Sequence, residues 1–128
     1  GVLRIQFGEN LLFSPARAEL KEQSKSVLEK VSKVLQKIPF TLVIEGHTDD
    51  RPLGRNSRYR DNKELSLARA MAVLNFVTEE KWIDSSRMAV ATYEANHPRS
   101  SNATALGRRL NRRVELAIFK DFPTMEKK

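Results

Sequence analysis

Residues 40–50, FTLVIEGHTDD, mark the point where an apolar segment gives way to a long polar one. The first six residues, FTLVIE, are mostly apolar and β-branched, which is typical of a β-strand, and Gly46 ends the pattern. The polar segment that follows, residues 47–61, contains Pro52, Gly54 and four arginines. A connection of this length is usually functional or flexible. The stretch therefore predicts a strand that delivers polar side chains to a loop.

Strands and helices alternate on both sides of this stretch. Period-two and period-3.6 apolar patterns distinguish the two kinds of element. The predicted strands are residues 2–7, 40–45, 87–93 and 114–119. The predicted helices are residues 18–38, entered at Ser14-Pro15 and ended by Pro39, residues 62–80, capped by Asn62, and a short one from Asn102 or Thr104 to Leu110. This order predicts an α/β (α+β) two-layer sandwich, βαβαβ(α)β, with helices on one face of a small mixed sheet.

The composition fits one folded domain with an anionic partner. The 128 residues suit a single domain, residues 1–120, followed by a polar tail at residues 121–128. Hydrophobic residues make up 40% of the chain, but no apolar run approaches the ~20 residues that span a bilayer. The absence of cysteine excludes disulfides and thiolate metal sites. The net charge of +7 favours nucleic acid, phospholipid or an acidic polymer as partner, although solubility alone explains it equally well.

Two charged residues stand out against their surroundings. Arg69 interrupts the apolar stripe of the second helix, four residues after Leu65 and four before Val73. A guanidinium there is costly unless acceptors meet it, and arginine grips a carboxylate through two parallel hydrogen bonds. Asp49 follows a strand, a favoured ligand position in α/β folds, and the pair suits a zwitterion. The alternatives are an internal salt bridge or snorkelling for Arg69, and a turn that caps backbone amides for Asp49.

Three ordered blocks resemble the OmpA-like family: VIEGHTD at residues 43–49, NKELSLARAMAV at 62–73 and GRRLNRRV at 107–114. The resemblance extends from about residue 2 to residue 119. It implies non-covalent binding of peptidoglycan through the diaminopimelate of the stem peptide. In this family the aspartate of the first block takes the ammonium and the arginine of the helix block takes the carboxylate. By resemblance, these roles fall on Asp49 and Arg69.

The resemblance also implies further ligand-binding residues. Thr48, Asn62 and Leu65 are expected to line the pocket, and Asn111 and Arg113 to approach it from the third block. For three of these residues, the sequence also leaves a structural role open. Asn62 is then only the helix cap, Leu65 a core residue, and Arg113 a brace that pairs with a carboxylate.

One feature resembles a particular branch of the family, the MotB-type flagellar stator proteins. Arg69 lies twenty positions after Asp49, with a DRP turn at residues 50–52 between them, and the opening LLF at residues 11–13 is similar. The sequence SPAR at residues 14–17 departs from the Asp/Ser/Gly-rich turn usual there. This resemblance implies a periplasmic domain of an inner-membrane-anchored protein, with a transmembrane segment upstream and a stator partner. The alternative is a general outer-membrane or lipoprotein anchor of the OmpA/Pal type.

Self-association, catalysis and nucleic-acid binding were the other functions considered. A homodimer is one alternative, because Met71 and Leu74 fit either core or a dimer surface; core is preferred. His47 and Asp49 form the only pattern that resembles metal ligands or a general base, so we expect no enzyme, no metal and no cofactor. Five arginines lie between residues 99 and 113, but aromatic residues do not alternate with them. We therefore expect no nucleic-acid partner.

Overall fold

The computed structural model describes residues 2–120, so the predicted tail at residues 121–128 lies outside the described residues. The strands are β1 (Val2–Gly8), β2 (Phe40–His47), β3 (Met88–Glu94) and β4 (Arg113–Lys120). The helices are α1 (Glu9–Leu12), α2 (Glu22–Leu35), α3 (Asn62–Glu79) and α4 (Ala105–Asn111), with a single 3-10 turn at Ser85–Arg87. None of the helices within residues 2–120 is long and apolar enough to cross a membrane.

The four strands form one mixed sheet in the order β1-β4-β2-β3. β2 and β3 are parallel, and α3 lies in the connection between them, as a parallel pair requires. β4 is antiparallel to both of its neighbours, β1 and β2. This sheet confirms the predicted two-layer α/β fold.

The core lies between one face of the sheet and helices α2 and α3. Alternate residues of the central strands, such as Leu42 and Ile44 of β2 and Leu116 and Ile118 of β4, are buried against these helices. β2 approaches α3 closely at Gly46, where an added Cβ would lie 2.3 Å from the Ser66 carbonyl oxygen. Because this contact fixes the end of β2 against α3, it also fixes the loop that follows β2.

Helix α2 is shorter than the helix predicted at residues 18–38. It begins at Glu22 rather than residue 18, and Ser14-Pro15 lies in a turn instead of at a helix entry. The intervening segment packs as a loop, because Ala18 is buried and the Lys21 amide donates to the Leu12 carbonyl oxygen at 2.9 Å. Apolar periodicity does not separate such a packed loop from a helical turn.

Two smaller predictions on α3 were also wrong. Its N-cap is Asp61, whose side chain accepts a hydrogen bond from the Glu64 amide at 2.9 Å, so Asn62 is the first helical residue. Met71 is an exposed hydrophobic residue, whereas Leu74 packs against the core as preferred.

Candidate functional site

A cavity of about 430 Å³ opens where β2 ends. Segments that are distant in sequence meet there: the start of α1, the turn after it, the loop after β2, the first turns of α3 and the end of α4. The residues that argue for a binding site are those with polar or charged side chains. They are Glu9, Asn10, Thr48, Asp49, Arg51, Asn62, Arg69, Arg109 and Arg112.

Asp49 lines this cavity and is buried. Its Oδ1 accepts a hydrogen bond from the Arg51 amide at 3.0 Å, which closes a local turn. Its Oδ2 accepts from Arg112 Nη1 at 2.7 Å. The local turn is the structural alternative considered for this residue. Asp49 therefore forms this turn and also lines the cavity.

Arg69 also lines the cavity and is only 5% exposed. Its Nη1 is 2.8 Å from Glu9 Oε2, and its Nε and Nη2 donate to the Arg17 and Ser14 carbonyl oxygens at 2.8 and 3.2 Å. Its guanidinium also lies over the Phe13 ring, 4.9 Å from the centroid. Burial lowers the pKa of Arg69, and the Glu9 carboxylate opposes that shift. The internal salt bridge considered as an alternative is therefore present.

Glu9 and Arg112 connect these two residues, and the sequence interpretation missed both. Glu9 is 6% exposed, and its Oε1 accepts from Arg112 Nε at 2.8 Å. An ion-pair chain thus runs from Asp49 through Arg112 and Glu9 to Arg69. Burial acts to lower the pKa of Arg112, but its hydrogen bonds to Glu9 and Asp49 outweigh this and raise the pKa above the ordinary value. Asp49 and Arg69 consequently face one cavity without neutralising each other directly.

Glu9 and Arg112 left weak signals in the sequence. Glu9 is the only acidic residue among the first eighteen, and it stands directly before the apolar LLF segment. Arg112 lies inside the third resembling block, between the two residues of that block that the interpretation selected.

The structure brings three further predicted site residues to the same cavity. Thr48 is fixed by its amide, which donates to the Glu94 carbonyl oxygen at 2.8 Å. Asn62 Nδ2 donates to the Arg51 carbonyl oxygen at 2.8 Å, so this side chain shapes the loop rather than capping the helix. Leu65 is buried and contributes an apolar part of the wall.

Asn111 and Arg113 are not brought to this cavity. Asn111 is fully buried and holds the loop before α4, since its Oδ1 accepts from the Arg99 and Ser100 amides at 2.7 and 2.9 Å. Arg113 forms a buried pair with Glu115, which is the bracing role considered as its alternative. Ligand contact by either residue stays a prediction, and the structure gives each a different role.

A second charged cluster lies on the sheet face away from the core. The carboxylates of Glu45 and Glu115 and the His47 ring place ligand atoms within 4.8 Å of one another, a spacing that a metal ion can use. Arg4 Nη1 contacts both carboxylates, at 2.7 and 3.3 Å, and Arg113 pairs with Glu115. A divalent cation would have to displace these guanidinium groups, so the chemistry of the cluster does not favour a metal. His47 belongs to this cluster, whereas Asp49 lines the cavity. The two residues that resembled metal ligands or a general base in the sequence therefore lie in different sites.

Burial and hydrogen bonds shift the pKa values of His47 and Glu115 in this cluster. Burial lowers the pKa of His47, and the hydrogen bond to Glu45 only partly opposes it. Burial would raise the pKa of Glu115, but its hydrogen bond to Arg113 lowers it overall. These shifts favour a neutral His47 imidazole beside an ionised Glu115 carboxylate.

Residues 12–112, most of the chain, match the OmpA family. The chain belongs to the OmpA family. This confirms the resemblance drawn from the three sequence blocks, each of which lies wholly or largely within the matched residues.

Known proteins similar to this OmpA-family domain include a motility protein and a wall anchor. Motility protein B of Bacillus subtilis is 31% identical over 118 residues, which cover 91% of this chain and 45% of that protein. A MotB-like protein from Desulfovibrio vulgaris has a TM-score of 0.89 at 27% identity, over 94% of this chain and 77% of that one. The cell wall anchor of the T6SS from Pseudomonas aeruginosa has a TM-score of 0.84 at 29% identity, over 94% of this chain and 82% of that one. The chain spans less than half the length of the first curated relatives it matches.

Proposed function

We propose that this OmpA-family domain binds peptidoglycan non-covalently and holds the zwitterionic end of diaminopimelate between Asp49 and Arg69. The observation that carries the proposal is that these two opposite charges line one cavity of about 430 Å³. The side chain of diaminopimelate ends in a carbon that bears both an ammonium and a carboxylate. One charge of the cavity thus meets each charge of the ligand. The role proposed for the cavity is binding.

Asp49 retains the capacity to accept an ammonium. A carboxylate has about four lone-pair sites, and the Arg51 amide and Arg112 use one on each oxygen. The remaining sites accept hydrogen bonds from a ligand ammonium without displacing Arg112. Arg112 instead keeps the carboxylate oriented.

Arg69 retains the capacity to donate to a carboxylate. A guanidinium has five N–H donors, and Glu9, Ser14 and Arg17 take three of them. One donor remains on each terminal nitrogen, and a ligand carboxylate can accept from these two. Three internal contacts fix the plane of the group, so little side-chain entropy is lost when the ligand binds.

The biological role that we propose is anchoring of a membrane protein, most specifically a flagellar motor stator, to the cell wall. Support comes from the similarity to motility protein B and to the MotB-like structure. The domain would then lie in the periplasm, joined to an inner-membrane segment upstream. A chimera that carries this domain in place of that of a motility protein B should restore swimming in soft agar. If the chimera binds the wall but its cells do not swim, only the general anchor role remains.

Co-sedimentation with purified sacculi tests the binding site. Asp49→Asn and Arg69→Lys each remove one charge-assisted or bidentate contact, which should weaken binding by about 1.5–3 kcal/mol, or roughly ten- to a hundredfold. The sacculi should release no soluble fragments, because binding involves no hydrolysis. Sedimentation of both variants at the level of the parent would overturn the site assignment.

Two matched controls separate a lost contact from a damaged fold. Asp50→Asn removes the same charge from an exposed neighbour that does not line the cavity. Arg87→Lys alters another arginine that donates to backbone carbonyl oxygens, including that of Phe40 at 2.9 Å, at the opposite end of β2. Both controls should sediment like the parent.

A further inference from the structure

The cavity carries more positive charge than the proposed head group requires. Its charged lining residues are two carboxylates and four guanidinium groups: Glu9, Asp49, Arg51, Arg69, Arg109 and Arg112. The net charge of this lining is therefore +2. A head group with one ammonium and one carboxylate has no net charge and leaves this surplus uncompensated.

The surplus positive charge of the cavity lining comes from Arg51 and Arg109. Arg69 pairs with Glu9, and Arg112 pairs with both Glu9 and Asp49, so the other four groups are engaged with one another. Arg51 and Arg109 are exposed, and within residues 2–120 neither side chain has a hydrogen-bond or ion-pair partner. These two guanidinium groups are available to a ligand.

Both arginines extend from backbone that is held in place. The Arg51 amide donates to Asp49 Oδ1 at 3.0 Å, so this residue is tied to the binding aspartate. Arg109 lies on α4, which packs so closely against the preceding turn that a Cβ on Gly107 would lie 1.8 Å from the Ser101 carbonyl oxygen. The guanidinium groups are free to adapt, but their points of attachment at the rim of the cavity are fixed.

We propose that Arg51 and Arg109 bind a second carboxylate of the stem peptide, the free α-carboxylate of the glutamate that precedes the diamino acid. This inference rests on the proposed function and adds a specificity to it. The glutamate is linked through its side chain, so its α-carboxylate is free unless it is amidated. A cavity of about 430 Å³ falls in the range of about 300–1,000 Å³ that holds ligands larger than one head group.

Amidation of that glutamate is the chemical change that the domain would detect. It replaces an anion by a neutral amide and leaves the zwitterion of the diamino acid untouched. Because both arginines are open to water, their effect is smaller than that of the buried pair. We expect amidation to weaken binding by about three- to tenfold, with a preference that shrinks as salt is added.

Calorimetric titration of the domain with two tripeptide muropeptides tests this inference. The peptides differ only in the free or amidated α-carboxylate of glutamate. The parent should prefer the free acid, and the double variant Arg51→Gln, Arg109→Gln should bind both peptides with the affinity that the parent has for the amide. Arg55→Gln removes another exposed arginine, one that does not line the cavity, and it should keep the preference.

The outcomes distinguish this inference from the proposed function. Equal binding of both peptides by the parent, or a preference that survives in the double variant, overturns the role of Arg51 and Arg109. The proposed function is then tested separately by Asp49→Asn with the amidated peptide. If Asp49→Asn still weakens that peptide, only the second carboxylate contact is wrong; if it has no effect, the zwitterion site itself is wrong.

Discussion

Glu9→Gln should destabilise the domain strongly, because it leaves a buried arginine without its carboxylate. Glu9 and Arg69 are 6% and 5% exposed, and their charged atoms are 2.8 Å apart. For charge centres about 4 Å apart at an effective dielectric constant of about 20, the interaction is worth about 4 kcal/mol. Arg69 keeps its two carbonyl acceptors, so we expect a loss of about 3 kcal/mol in the free energy of unfolding, at the low end for a broken buried pair.

Urea unfolding followed by circular dichroism measures this loss. With a slope of about 2 kcal/mol per M, the midpoint should fall by about 1.5 M. Glu29→Gln is the control, because it removes an ion pair to Lys33 at the same distance, 2.8 Å, but on an exposed helix surface. The control should change stability by about 0.5 kcal/mol or less.

A double variant tests whether the two buried charges act as a pair. Glu9→Gln combined with Arg69→Met removes both charges, so it should be less destabilised than the sum of the single variants. The reasoning would be refuted by a Glu9→Gln midpoint equal to that of the Glu29→Gln control. Strictly additive single variants would refute it as well.

Three further predictions concern packing, backbone strain and pH. Gly46→Ala should cost about 1–3 kcal/mol of stability, because its Cβ would lie 2.3 Å from the Ser66 carbonyl oxygen, and an unfolding midpoint equal to the parent's would contradict this. Ala16→Gly should raise stability by about 0.5 kcal/mol, because Ala16 has a φ of 57°, and a lowered melting temperature would oppose that account. Burial lowers the pKa of His47, so the unfolded state binds a proton first as pH falls below about 6.5, and stability should fall by up to about 1.4 kcal/mol per pH unit. His47→Gln should remove that slope between about pH 6.5 and 5, and an unchanged slope would assign it to other groups.

The strands could be predicted from sequence because their pattern is local. Alternation in residues 2–7 and the apolar run at 40–45 each identify a strand without knowledge of its partners. The start of α2 could not be placed, because Ala18 and Leu20 continue the apolar period while packing as a loop. The exposure of Met71 could not be predicted either, since a hydrophobic residue near the edge of a helix's apolar stripe fits core or surface.

The binding pair could be predicted, but its neighbours could not. Asp49 and Arg69 were selected because each is chemically unusual at its position and because the blocks around them resemble a family. The contact between Glu9 and Arg112 joins residues 103 positions apart, and it exists only because β1 and β4 are adjacent in the sheet. Sequence alone predicts some acidic partner for Arg69, not which one.

The most direct test of the account follows the two proposed contacts in a single experiment. Titration of the isotope-labelled domain with a diaminopimelate-containing tripeptide, observed by NMR, should shift the amides of Thr48 and Asp49 together with the Nε–H resonance of Arg69, all with one dissociation constant. A lysine-containing tripeptide, which lacks the second carboxylate, should shift the Arg69 resonance far less. Shifts confined to the opposite sheet face around Glu45 and Glu115, or an Arg69 resonance that ignores the ligand, would contradict the account.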